Sequence, residues 1–188
     1  PSRWKTIVTV PGERPWTAIA GALGDALDLG KDTKEDVTKW SPTRLAAAVE
    51  GRFDVIVHGA NCQCVMGAGI AKAIREAFPG AYEADLETPK GAPAKLGTIS
   101  FARIQRDGGS LWVVNAYTQL HYRGAGVRVD YEAVRSAMRL VKQQFAGKRI
   151  GYPKIGAGLA RGDWAQLARI IDEELEGEDH TVVEYEPS

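Results

Sequence analysis

Between Phe53 and Ile70 the chain reads FDVIVHGANCQCVMGAGI. His58 and Asn61 are the side chains of this stretch able to orient or protonate a ligand. Gly67 and Gly69 let backbone come close to it, and the helix expected after Gly69 offers free N–H groups to an anion. A second glycine loop, Gly156-Ala157-Gly158-Leu159-Ala160-Arg161-Gly162-Asp163, stands at the end of a later strand. Two cradles of backbone N–H suit a diphosphate. Neither is a standard nucleotide fingerprint: Lys72 stands where the third glycine of a dinucleotide motif belongs, and no Lys-Ser/Thr follows Gly162. Tight strand-to-helix turns need glycine in any α/β protein, so that plainer reading stands beside the ligand one.

The elements that must position these loops follow from periodicity. Val55, Ile56 and Val57 form a short apolar run suited to a parallel strand buried on both faces. Ile70, Ala73, Ile74, Ala77 and Phe78 then share one helix face, with Pro79-Gly80 as the stop and a polar surface loop expected through Tyr82, Thr88 and Pro93. Gly97 to Ile104 and Leu111 to Tyr117 read as a hairpin about Asp107-Gly108-Gly109. Asp130 caps a helix carrying Tyr131, Val134, Met138, Val141 and Phe145, and a strand from Arg149 to Ile155 follows. Asp163, with Gln166 three residues on, opens a helix burying Leu167, Ile170, Ile171 and Leu175, before a last strand from Thr181 to Tyr185. Upstream, Trp4 to Val10 reads as a strand, Trp16 to Leu29 as a helix, and Leu45 to Val49 as a short helix opened by Ser41-Pro42 and closed by Gly51. Strands alternating with helices, plus one hairpin, predict a mixed sheet between helical layers, with both glycine loops facing one crevice.

The totals narrow the partners. The chain has 188 residues, enough for one α/β core, and its Lys+Arg and Asp+Glu counts are both 24, so no basic footprint for nucleic acid appears. The start lacks a basic-then-apolar leader and no apolar run approaches a membrane span, from which a soluble, cytoplasmic protein is expected. The sequence opens at Pro1, as a processed product or an excised piece of something longer would. Cys62 and Cys64, one residue apart, are read as reduced thiols packing the loop, with no flanking cation to activate them. No metal-ligand spacing is present, and no metal or cofactor is expected. His121 and His180 fall outside the motifs and are read as surface or loop residues.

With these residues in place, the segment resembles the macro domain, an ADP-ribose-binding αβα module. His58-Gly59-Ala60-Asn61-Cys62 stands where most macro domains have Asn-Ala-Ala-Asn-Ser, and Val65-Met66-Gly67-Ala68-Gly69-Ile70-Ala71 and Gly156-Ala157-Gly158-Leu159 look like the two ligand loops. The likeness is to the branch of the ADP-ribose 1''-phosphate phosphatases and the terminal ADP-ribose protein glycohydrolase, in which a His stands at the position of His58. It spans about Lys34 to Tyr185, which divides the chain into an extension over 1–33 and a three-layer αβα macro domain over 34–188. The resemblance implies that Asn61 bonds the distal ribose, that Gly67, Ala68, Gly69 and Ile70 wrap the ligand, and that Gly156, Ala157, Gly158 and Leu159 hold the diphosphate. It implies further that Asp36, with Val37 beside it, accepts from the adenine amine. Glycohydrolases of this branch use a Lys just past the central strand and an Asp directly after the Gly-x-Gly-Leu run; here those places hold Tyr117 or Thr118, and Ala160. Asp163 either substitutes for that Asp or serves only as a helix cap.

The function expected on this basis is hydrolysis of ADP-ribose 1''-phosphate, with His58 as general acid or base, Asn61 positioning the ribose and loop amides stabilising the phosphoryl group. A hydrogen-bonded strand-end histidine that fixes the loop is the structural reading of His58. The functional alternatives are removal of ADP-ribose from a modified protein or nucleic acid, and a reader that releases ADP-ribose unchanged. Tyr117, Tyr122 and Trp164 are candidates for stacking on the ligand, or equally for core packing.

Overall fold

The computed structural model describes residues 5–8, 51–106 and 109–184. The helices expected over Trp16–Leu29 and Leu45–Val49, and the Asp36-Val37 pair, lie outside them. The strands are β1 (Lys5–Val8), β2 (Val55–Asn61), β3 (Ile99–Arg106), β4 (Gly109–Gln119), β5 (Ile150–Tyr152) and β6 (His180–Glu184), and they form one six-stranded sheet in the order β1-β6-β5-β2-β4-β3. Every neighbouring pair is parallel except β3 with β4, the expected hairpin. Parallel pairing gathers the carboxyl ends of β2, β4 and β5 at one edge, where ligand sites of open α/β sheets form.

Among the described residues, four α-helices cover the faces: α1 (Gly69–Ala77), α2 (Pro79–Leu86), α3 (Tyr131–Phe145) and α4 (Trp164–Glu174). Because alternate strand residues point to opposite faces, Ile56, Leu111 and Val113 pack with Ala73 and Ile74 of α1, Ala81 of α2 and Phe78 between the two helices. Val55, Val57, Val114 and Ala116 pack on the other side with Val134, Met138, Val141, Leu167 and Ile171 of α3 and α4. This is the expected three-layer αβα arrangement with a mixed sheet. Asp130 accepts from the Ala133 amide and Asp163 from the Ala165 amide, both at 2.9 Å, so both expected caps are made.

Three expectations change. Residues 79–86, read as the start of a surface loop, are α2, because Pro79 occupies a first-turn position where its missing N–H costs no hydrogen bond. That helix buries Ala81 and Asp85. The strand expected over Arg149–Ile155 is only Ile150–Tyr152, since Pro153 has no N–H for the ladder. His180 is a buried strand residue, with its Nδ1 2.8 Å from the Tyr152 hydroxyl.

Gly151 marks where β5 presses on its neighbours. A Cβ there would lie 2.8 Å from Ile56 Cδ1 and from Phe53 Cγ. Gly151→Ala is expected to cost about 1–3 kcal/mol through overpacking, seen as a lower urea midpoint at unchanged slope.

Candidate active site

The first ligand loop leaves the sheet at Asn61, where the β2–β4 register shifts. Its side chain is spent on the loop: Asn61 Oδ1 accepts from the amides of Gln63 (3.0 Å) and Val65 (3.3 Å), and Nδ2 donates to the Val65 carbonyl at 2.7 Å. This knot is a local reason for an Asn here, because one amide group satisfies both kinds of backbone polar atom. Beyond it Gly67, Ala68 and Gly69 are exposed, and α1 begins without a side-chain cap. Its first-turn N–H groups are therefore available to a ligand.

The second loop is pinned from inside. Gly156 has φ +76°, and the Gly162 amide donates to the Gly156 carbonyl at 2.8 Å. Val129 and Leu167 fill the space a Cβ would need at either glycine. Among described residues, the amides of Gly158, Leu159 and Ala160 make no backbone hydrogen bond. The two loops meet: a Cβ on Gly69 would lie 3.4 Å from Leu159 Cδ1, and Leu159 is itself exposed. Gly59 allows close packing between them: a Cβ there would stand 3.0 Å from Thr118 Oγ1 and 3.1 Å from Ile155 Cγ2, with the Gly156 amide at 3.9 Å. Two sets of backbone N–H thus border one cleft at the carboxyl edge, suited to a pyrophosphate.

Several candidate residues do not face that cleft. His58 is fully buried on the α1–α2 side of the sheet, where its Nε2 donates to Asn115 Oδ1 at 2.8 Å and its Nδ1 has no partner. A general acid or base must come within hydrogen-bond reach of substrate. The direct proton-transfer role expected for His58 does not fit its burial, whereas the hydrogen-bonded strand-end reading does. Tyr117 is also fully buried and does not line the cleft. Its hydroxyl donates to Asp85 Oδ1 at 2.9 Å and lies 2.6 Å from Ser100 Oγ; burial above all pushes this phenol up to about 12. Trp164 packs against the core, and Tyr122 is exposed with the Arg123 guanidinium over its ring. Asp163 is exposed as the α4 cap and Ala160 is buried.

Beneath the first loop lies a charged network that the sequence did not reveal. Lys95, in a short 3-10 turn over Pro93–Lys95, is 5% exposed, and Asp85 of α2 is 1% exposed. Lys95 Nζ donates to Asp85 Oδ1 at 2.9 Å and to Cys64 Sγ at 3.1 Å, and sits 4.0 Å from the centre of the Tyr117 ring. Burial works against this ammonium, but the bonds to Asp85 and Cys64 outweigh it, so its pKa lies above the ordinary lysine value. The expectation that no cation stands near the loop thiols is corrected. Thirty-one positions separate Cys64 from Lys95, so no local pattern signals the pair.

His58 and His180 share an acid liability. Burial pushes both imidazoles below their ordinary value, with Asn115 and Asp85 partly opposing it at His58 and Asp172 at His180. A group whose folded pKa is depressed lends stability present above its unfolded value of about 6.5 and lost as pH falls toward the folded one. Urea midpoints should therefore drop between about pH 7 and pH 5, before ordinary carboxylates titrate. His180→Gln should flatten that slope.

Comparisons with known proteins agree with this geometry. The chain is 32% identical over 137 residues to an uncharacterized 17.5 kDa protein of Enterobacteria phage T4, covering 70% of this chain and 86% of that one. It is 30% identical over 135 residues to the ADP-ribose glycohydrolase OARD1 of Bos taurus, covering 70% and 81%. The macrodomain of Mycobacterium tuberculosis DarG has a similar fold, with a TM-score of 0.60 at 16% identity over 73% of this chain and 93% of that one. A family profile described as the Macro domain matches residues 57–171, the span from the middle of β2 through most of α4, which holds both glycine loops. By fold, loops and profile together, the chain belongs to the macro domain family.

Proposed function

We propose that this chain binds ADP-ribose in the cleft between the Gly67–Ile70 and Gly156–Leu159 loops and hydrolyses a bond at its distal end, with ADP-ribose 1''-phosphate as the substrate. The observation that carries the reading is the meeting of two amide-lined loops at Gly69 and Leu159. Such a cleft favours a pyrophosphate by charge, with backbone N–H groups on both sides of it. Phosphoryl transfer draws mainly on positioning and on donors aimed at the charged oxygens, which backbone amides supply. In this reading His58 supports the loop through β2 and Asn61 holds it in shape, while the Asp163 carboxylate stands exposed where the second loop enters α4.

A second reading, removal of ADP-ribose from a modified macromolecule, is favoured by the activity in the name of the bovine relative. Against it, the position of the branch's Lys is occupied by Tyr117 or Thr118 and that of its Asp by Ala160, all of them buried. One experiment separates these readings: phosphate release from ADP-ribose 1''-phosphate, run beside ADP-ribose release from modified protein and modified DNA. Phosphate release alone supports the first reading, and ADP-ribose release replaces it with the second. ADP-ribose binding with neither product makes the domain a reader. Asp163→Asn should reduce turnover at least tenfold if its carboxylate takes part, and leave it unchanged if it only caps α4.

A further inference from the structure

Cys64, Lys95 and Asp85 form a buried constellation beneath the first ligand loop. Lys95 Nζ lies 3.1 Å from Cys64 Sγ and 2.9 Å from Asp85 Oδ1, while Asp85 Oδ2 has no hydrogen-bond partner. Cys64 holds φ +54°, a left-handed conformation unusual for a side-chain-bearing residue, and its sulfur accepts from the lysine. Cys62, two residues away, has no exposed surface, whereas Cys64 keeps 6%. Of the two residues, Cys64 is the less enclosed.

We propose that the Cys64–Lys95 pair is a modification site, at which a hydroperoxide converts the two side chains into a sulfenamide cross-link, Cys64 Sγ to Lys95 Nζ. In the first step the thiol takes one oxygen from the hydroperoxide and becomes a sulfenic acid, while the hydroperoxide is reduced to its alcohol, or to water when it is hydrogen peroxide. In the second step the free Oδ2 of Asp85 takes one proton from the ammonium, which gives Nζ its lone pair. Nζ then attacks sulfur, the S–O bond breaks, and the departing hydroxide takes a second proton from nitrogen and leaves as water. Sulfur and nitrogen together lose two electrons, the hydroperoxide gains two, and no further reactant is needed. Sulfenic acids are known to condense with nitrogen in this way when one is held against them. Here the nitrogen is fixed by an ion pair with a carboxylate that doubles as the proton acceptor. The bond ties the first ligand loop to the turn at Pro93–Lys95, and a thiol reductant reverses it.

The test is mass spectrometry of the folded chain after a few equivalents of hydrogen peroxide. The expected product is lighter by about 2 Da than the reduced protein. Digestion should yield one linked species joining the Cys64 peptide to the Lys95 peptide, abolished by dithiothreitol. Repeating it on Cys62→Ser should leave the linked species intact and so exclude a disulfide between the two cysteines. A Cys62–Cys64 disulfide in the parent chain, or Cys64 carrying one or two added oxygens (about 16 or 32 Da) with Lys95 unmodified, would overturn the proposal. So would recovery of both side chains unchanged. The readout is taken on the parent sequence, so it does not depend on any Lys95 variant folding.

Discussion

Lys95→Met should lower the stability of this domain by about 3–5 kcal/mol, the range for removing one partner of a buried ion pair. The loss comes from Asp85 rather than from Lys95. With 1% of its surface exposed and the ammonium gone, the carboxylate keeps, among the described residues, the Tyr117 hydroxyl as its one side-chain donor. An uncompensated buried charge is far costlier than a missing contact. The double variant Lys95→Met with Asp85→Leu should therefore recover most of the loss, since apolar replacement of a whole buried pair is often neutral or better. Urea unfolding of the parent, both single variants and the double variant measures the coupling directly. If the double variant is as unstable as Lys95→Met, the pair is not what holds α2 and the first ligand loop together. The prediction bears on function because Lys95 reaches Cys64 of that loop, so loosening the network should also weaken ADP-ribose binding.

Gly156→Ala should reduce affinity for ADP-ribose by about 100-fold, equivalent to about 2.7 kcal/mol. Two costs combine at this position. Its φ of +76° is left-handed, which a side chain tolerates at about 1–2 kcal/mol. An added Cβ would also stand 2.6 Å from Val129 Cγ2 and 3.2 Å from Leu167 Cδ1, against typical overpacking costs of about 1–3 kcal/mol. Neither Val129 nor Leu167 has room to withdraw, because both are buried in the core under α3 and α4. The loop must shift instead, carrying the Gly158 and Leu159 amides away from the pyrophosphate. Gly158→Ala is the matched control: nothing lies within 4 Å of its added Cβ, so affinity should change by less than about threefold. Calorimetry with ADP-ribose on the two variants separates shape from composition. Equal losses at both positions would mean that the loop does not read the ligand through the backbone geometry of Gly156.

The elements nearest the glycine loops were legible because their signals are local. Val55 to Val57 read as a buried strand, Ile70, Ala73 and Ile74 as a helix face, and Asp130 and Asp163 as caps, and each stands so in the fold. The convergence of the loops at one edge followed from parallel strand order, which alternating strands and helices imply. Helix α2 was hidden by Pro79, which serves as a helix stop or a helix start depending on where the next turn packs. The burial of His58 was hidden too. A polar residue at a strand end reads as a cleft residue until Asn115 of the neighbouring strand and the α2 layer behind it are seen to enclose it.

By itself the sequence determined the layered α/β plan and the two backbone cradles, since hydrophobic period, capping residues and glycine positions act over a few residues and need no distant partner. Which polar side chains face the cleft and which are sealed beneath it depends on packing between distant segments. Asp85, Lys95 and Cys64 are meaningful together and carry no pattern apart. Their energies depend on burial and on partners 10 and 31 positions away, which chain folding sets and residue spacing does not.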